Sequence, residues 1–181
     1  MQTTSQIYLD ITLEGGSIAG EAKAGGYEGR IDIDSFQFTA NAKEQSLKEV
    51  QKGVVANLDL DRVTFSKAFD SSSLKLANAL NQHKRFVEAR IAIDQQYIED
   101  DRRKFPNETL VITLKNGYVA DIHLRTSEGN AGASIKEDIT LSFQECEIVY
   151  YAETRSDEGK LSDDYRLPPS VFTLQREEQG T

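Results

Sequence analysis

The chain contains no tryptophan, a single cysteine and only two histidines in 181 residues. One thiol cannot form an internal disulfide, so the core must hold by packing alone. His83 and His123 have no partner at ligand spacing, which argues against a metal site. No apolar run is long enough to span a bilayer, which argues against membrane insertion. The opening MQTTSQIYLD passes into strand-like alternation without a charged-then-apolar leader, so a cleaved signal peptide is not expected. Basic residues are scarce relative to acidic ones, 21 Lys plus Arg against 30 Asp plus Glu, for a net charge of -9. With no basic patch, nucleic acid is not an expected partner.

Several familiar chemistries also fail on inspection. Gly15 to Gly29 holds six glycines, yet a phosphate-binding loop would need Lys after Gly20, and Glu21 stands there. The nucleophile-elbow pattern fails because the glycine closing Gly15-Gly16-Ser17 arrives one residue late, at Gly20. This stretch reads as a plain loop. Asp32 and Asp34 begin like a calcium loop, but the downstream glycine and final glutamate are missing. Cys146 lies mid-strand and reads as core. Carboxylates are abundant, but no acid pair stands apart from a charged surface. The reading is a non-enzyme, with no catalytic residues, cofactor or metal.

What the chain does contain is alternation. Ile7, Leu9, Ile11 and Leu13 alternate with polar residues, as do Val87, Ala89, Ile91 and Ile93. Val63, Phe65 and Phe69 have near-strand spacing. Arg30–Thr39 carries a parity problem, since Ile31 and Ile33 point one way and Phe36 and Phe38 the other; either both faces are buried or a bulge near Asp34-Ser35 turns the strand. The same flip recurs in Ile135–Glu153 near Gln144-Glu145. Asn116-Gly117 is a hairpin signal taken alone, and a bent long strand is the competing reading. Thr126–Ser134 reads as a loop, and Val171–Leu174 as a last strand. One helix is expected after Asp70, Ser71 and Ser72, any of which can cap it. Its apolar face is read as Leu74, Ala77 and Leu80 with Leu76 beside them, and at about 10–12 residues it must dock on a sheet. The whole reads as one domain over 1–181, with an excursion at 40–56, an acidic loop at 154–167 and a frayed tail at 175–181.

Taken together, the blocks resemble a known family. Val63-Thr64-Phe65-Ser66-Lys67, Asp70-Ser71-Ser72 and the helix with Leu74 and Leu80 are similar to the central block of the haemolysin-coregulated protein (Hcp) family, the inner tube of the bacterial type VI secretion system. Tyr8–Ile11, Ile18-Ala19-Gly20-Glu21, Arg30–Phe38, Leu110–Lys115 and the run from Glu137 through Phe143 to Tyr150 follow in the family's order. The resemblance covers roughly residues 6–152, and no single block is specific, but the collinear set is.

The resemblance implies a mainly β fold: a small two-sheet β-barrel, like a phage tail-tube protein, with one short α-helix on its side. It implies homohexameric rings that stack into a tube, no catalysis, and a lumen that holds effector proteins. It further implies sheath and tip or spike proteins as partners. Location would be the bacterial cytoplasm before firing, then outside the cell without a cleaved signal peptide. Gln37, with Ser35 on the same side, falls where the family's strand lines the lumen. The excursion falls where the family projects a loop toward the neighbouring ring; its Lys43, Glu44, Lys48, Glu49 and Lys52 would make salt-sensitive stacking contacts. If strands packed between subunits, the parity flips would be explained by burial at the ring interface. Three readings compete: a phage or other contractile-injection tail-tube protein, a monomeric β-sandwich ligand-binding module, and an acid-pair hydrolase.

Overall fold

Alternation of apolar and polar side chains produces the first strand, β1 (Thr3–Leu13), in which Leu9 and Ile11 are buried. The computed structural model describes residues 3–42, 58–97, 108–129, 132–151 and 169–175. The further strands are β2 (Gly16–Ser17), β3 (Ile31–Ile33), β4 (Ser35–Ala42), β5 (Leu58–Ala68), β6 (Arg85–Tyr97), β7 (Glu108–Gly129), β8 (Gly132–Ser142), β9 (Glu145–Tyr150) and β10 (Ser170–Gln175). Among the described residues the only helix is α1 (Ser71–Asn81), between β5 and β6. The fold is mainly β, as expected. The excursion beyond Ala42, the acidic loop and the tail beyond Gln175 lie outside the described residues, and with them Lys43, Glu44, Lys48, Glu49 and Lys52.

The strands pair antiparallel in one network that runs β2-β1-β6-β7-β8-β5-β4. Its two halves share β7, whose first part pairs with β6 and β9 and whose remainder pairs with β8. The turn between halves falls at Asn116-Gly117. Asn116 has φ 53°, but the strand continues through both residues, so the bent-strand reading is right and the hairpin signal misleads.

Both parity flips are corners inside one chain. At Asp34 the chain leaves β1, which pairs with β3, and joins β5, which pairs with β4. The Ile31–Ala42 segment therefore bonds to strands at opposite ends of the path and curls the sheet round. At Phe143-Gln144 the chain leaves the second half of β7 and re-pairs with the first. After each corner the apolar residues again face the same interior: Phe36, Phe38, Cys146 and Ile148 all belong to or pack against the main core. The suggestion that a ring interface buries the second face is thus corrected; a bend re-aims the strand and removes the need for one.

The core is built from residues such as Leu9, Phe65, Ile91, Leu114, Leu141 and Phe143. Several expectations about it are revised. Phe69 is exposed, and the inward position of β5 after Val63 and Phe65 belongs to Lys67. Val87 is exposed because a bulge opposite Leu13 turns Phe86 inward. Leu74 is 69% exposed, whereas Ser72, Ser73, Leu76 and Ala79 face the sheet, so the helix is rotated from its expected stripe. The predicted loop at Thr126–Ser134 is mostly hairpin, since β7 and β8 pair as far as Gly129 and Gly132.

The glycine loop is not plain. It folds over the outer face of β1, where Tyr27 stacks on Tyr8 with ring centroids 4.0 Å apart and Arg30 sits 4.7 Å above the Tyr27 ring. Arg30 also pairs with Asp10 at 3.2 Å, and Glu108 receives hydrogen bonds from Arg90 and, at 3.4 Å, from the Tyr27 hydroxyl. Tyr8, placed by alternation on the solvent side, is therefore buried, and its phenol is pushed up to about 12 by that burial and by Asp32 and Asp94 nearby.

Candidate functional site

Two features stand out from the scaffold: a polar sheet face and a buried charge hub. The polar face is the outer surface of β4, β5, β8 and the second half of β7. Alternation that sends Phe36 and Phe38 inward sends Ser35 and Gln37 outward, where both are exposed. The structure thus places both predicted residues on one face. Two rows cross it. In one, Gln37 lies opposite Thr64, the Thr64 and Thr140 hydroxyls are 3.0 Å apart, and Thr140 lies opposite Asp121. In the other, Ser35 lies opposite Ser66, whose hydroxyl donates to Asp138, and Asp138 receives the Arg125 Nε–H at 2.9 Å. The Arg125 hydrogen bond, followed by that from Ser66, holds the Asp138 carboxyl below its ordinary range. At the edge Lys136 donates to Asp34 at 2.7 Å.

The hub lies inside, under the start of α1. Lys67 is completely buried, and its ammonium donates to Glu137 and Asp70, each at 2.7 Å, to the Ala68 carbonyl at 2.8 Å and to Ser73 Oγ at 3.0 Å. Asp70 is also the N-cap of α1 and accepts the Ser72 N–H at 2.9 Å. Glu21, from the glycine loop, accepts the Ser71 N–H at 3.1 Å. The hub explains the rotation of the helix: once Ser73 must reach Lys67 and Glu137, Leu76 and Ala79 follow it inward at helical spacing. Sequence reasoning missed this role. The available signal was a lysine and a glutamate, Lys67 and Glu137, each at an inward, otherwise apolar parity position and opposite one another in the β5–β8 register.

Burial pushes the Asp70 carboxyl up, but hydrogen bonds from Lys67 and Ser72 outweigh it and hold the group below its ordinary value. A depressed folded value means stability that is present above the unfolded pKa, near 4, and lost as pH falls through the folded one. Asp70→Asn retains a capping side chain without the charge. It is expected to cost about 1.5–3 kcal/mol at pH 7 and progressively less below pH 4. Urea midpoints of both proteins across that range will show it; a pH-independent gap would remove the linkage.

No group of three or more His, Cys, Asp and Glu side chains gathers to hold a metal among the described residues, and no helix there is long and apolar enough to cross a membrane. Cys146 is fully buried, which pushes its thiol up to about 12, in keeping with a core residue.

Comparisons with known proteins agree on one architecture. The Hcp1 protein of the E. coli EAEC 042 pathovar, solved as a double mutant, superposes with a TM-score of 0.68 at 16% identity, covering 94% of this chain and 98% of that one. Hcp1 of Salmonella typhimurium gives 0.64 at 19%, covering 94% of each chain. The secreted protein Hcp3 of Pseudomonas aeruginosa gives 0.62 at 14%, covering 97% and 100%. At these identities the superpositions establish the fold. No curated protein matches the sequence. The model of a family described as "Type VI secretion system effector, Hcp" matches residues 8–150, and that span contains the hub, both corners and the polar face. With most of its length accounted for by that match, the chain belongs to the Hcp family of type VI secretion system proteins.

Proposed function

We propose that this protein is the repeating subunit of the secretion tube, assembling as homohexameric rings that stack and carry effector proteins in the lumen. The observation that carries this reading is the family match over residues 8–150. The polar face with Gln37 and Ser35 lines the lumen, and the subunit contributes no catalytic step. Sheath and tip proteins meet the assembled tube. The protein waits in the bacterial cytoplasm before firing and is then secreted. Lys43, Glu44, Lys48, Glu49 and Lys52 make the contacts between rings.

The test is the native mass by light scattering, with negative-stain images of the same fraction. A hexameric annulus is expected, and a stable monomer well above cellular concentration would overturn the reading. Labelling Gln37→Cys rings with a thiol-reactive gold cluster should place gold in the central hole; gold on the rim would remove the lumen role. Deleting 43–52 should leave single rings but no tubes, and tubes that persist would relieve the loop of its stacking role.

A further inference from the structure

Asn116-Gly117 is the chain's only Asn-Gly pair, and this dipeptide has a chemistry of its own. With no side chain on glycine to hinder it, the Gly117 backbone nitrogen can attack Cγ of Asn116. A bond forms between that nitrogen and Cγ, the nitrogen gives up its proton, and the side-chain amide leaves as ammonia. Water then opens the cyclic imide. Opening at Cγ yields aspartate with the backbone unchanged. Opening at the main-chain carbonyl yields isoaspartate, in which the backbone runs through the side chain and is longer by a methylene. Water is the only co-reactant, and nothing is oxidised or reduced.

We infer that the fold gates this reaction: Asn116-Gly117 is a modification site that is closed in the native bend and opens when β7 separates from its neighbours, and isoaspartate formed there bars the chain from refolding. The side chain does not close the site. Asn116 is exposed, so water and departing ammonia meet no obstruction. The backbone closes it. To reach Cγ the Gly117 nitrogen must swing, and because the peptide unit is planar it carries the Gly117 Cα with it. Gly117 is buried, and a Cβ there would lie 2.1 Å from the Ser142 carbonyl oxygen and 2.2 Å from Phe86 Cζ. The flanks are fixed as well. The Gln144 N–H donates to the Lys115 carbonyl at 3.1 Å. Lys115 lies opposite both Glu88 and Glu145, Gly117 opposite Phe86, and Tyr118 opposite both Arg85 and Ser142. The peptide can swing only when these pairings open. The same crowding separates the products. Aspartate keeps the backbone length and tolerates the left-handed φ of 53° much as asparagine does. Isoaspartate displaces Gly117 by about 1.5 Å, a bond length, where there is no room, and shifts the following residues of β7 against β8.

The experiment holds the full-length protein in warm, mildly alkaline buffer, either folded or unfolded in guanidinium chloride. Amide loss at Asn116 is followed by mass spectrometry and normalised to a synthetic peptide of residues 112–120 in the same buffers. Loss from the folded protein should be slower by at least about tenfold, since a gated reaction proceeds only from the open fraction. The aged unfolded sample is then refolded by dilution. Its soluble fraction should retain the aspartate form and be depleted of isoaspartate by about threefold or more. Asn116→Gly, which cannot react, should refold in full after the same treatment. Equal normalised rates in the folded and unfolded protein overturn the gate. An unchanged share of isoaspartate after refolding overturns the barrier, as does an Asn116→Gly protein that loses as much refolding yield as wild type.

Discussion

Replacing Lys67 with methionine is expected to destabilise the protein by about 3–5 kcal/mol, because it leaves Glu137 buried as an uncompensated charge. For a domain of this size that corresponds to a fall in thermal midpoint of roughly 6–20 °C, measured at fixed protein concentration because any self-association would be linked to folding. Methionine retains much of the lysine stem's packing, so the loss reports the charge and its hydrogen bonds rather than a cavity. The effect should spread beyond β5. Lys67 joins β5 to β8 through Glu137 and to α1 through Asp70 and Ser73, so its removal frees the helix start on two sides. K67M/E137L should be less damaging than K67M alone, because a matched pair of apolar side chains leaves Glu137's charge out of the interior. A K67M protein that melts within about 2 °C of wild type would remove the hub from any account of stability.

Gly117→Ala should also be hard to tolerate. A Cβ built there would lie 2.1 Å from the Ser142 carbonyl oxygen and 2.2 Å from Phe86 Cζ. The phenyl ring can move, but the carbonyl belongs to β8, whose Ser142 pairs with Tyr118 at this crossing of the two half-sheets. The expected cost exceeds about 3 kcal/mol, and most of the expressed protein should be insoluble. Phe86→Leu in the same chain should not rescue it, since the backbone clash remains. Asn116 provides the contrast. Its φ of 53° is the left-handed conformation that glycine adopts freely, so Asn116→Gly should be neutral within about 0.5 kcal/mol and Asn116→Val should cost about 1–2 kcal/mol. A soluble G117A protein with wild-type stability would mean that β7 does not cross its neighbours as closely as this structure requires.

These predictions show where the sequence could be read and where it misled. Asn116-Gly117 is a turn signal because both residues tolerate positive φ. Only Asn116 uses that tolerance; Gly117 is glycine because two strands and a ring converge on it. The second meaning concerns residues distant in sequence, and local pattern does not contain it. The helix shows the same division. Its existence, its cap and its end were legible from Asp70 to Gln82, but its rotation was not. Counting apolar residues favours Leu74, Ala77 and Leu80, whereas a buried ammonium on another strand claims Ser73 and turns Leu74 to solvent. Tyr8 was misplaced for a similar reason: alternation assigns it to the outer face, and only the folding back of the glycine loop makes that face a second, smaller core.

The candidate site divides in the same way. Gln37 and Ser35 could be assigned to one side of a strand by parity, and the structure places them on one exposed face. Their neighbours Thr64, Thr140, Asp138 and Arg125 come from three other strands, and which of them stand beside Gln37 depends on register.

The sequence by itself determined the class of fold, the positions of most of the described strands and of the helix α1, and, through the order of its blocks, the family. These follow from side-chain periodicity and capping, which act over a few residues and so are written in consecutive positions. The tertiary structure alone decided that the parity flips are corners, that β7 bends instead of turning back, and that Lys67, Asp70, Ser73 and Glu137 share one buried site. Each of these depends on which strand lies beside which. That pairing is selected by the joint burial of the whole core and not by any local stretch of chain.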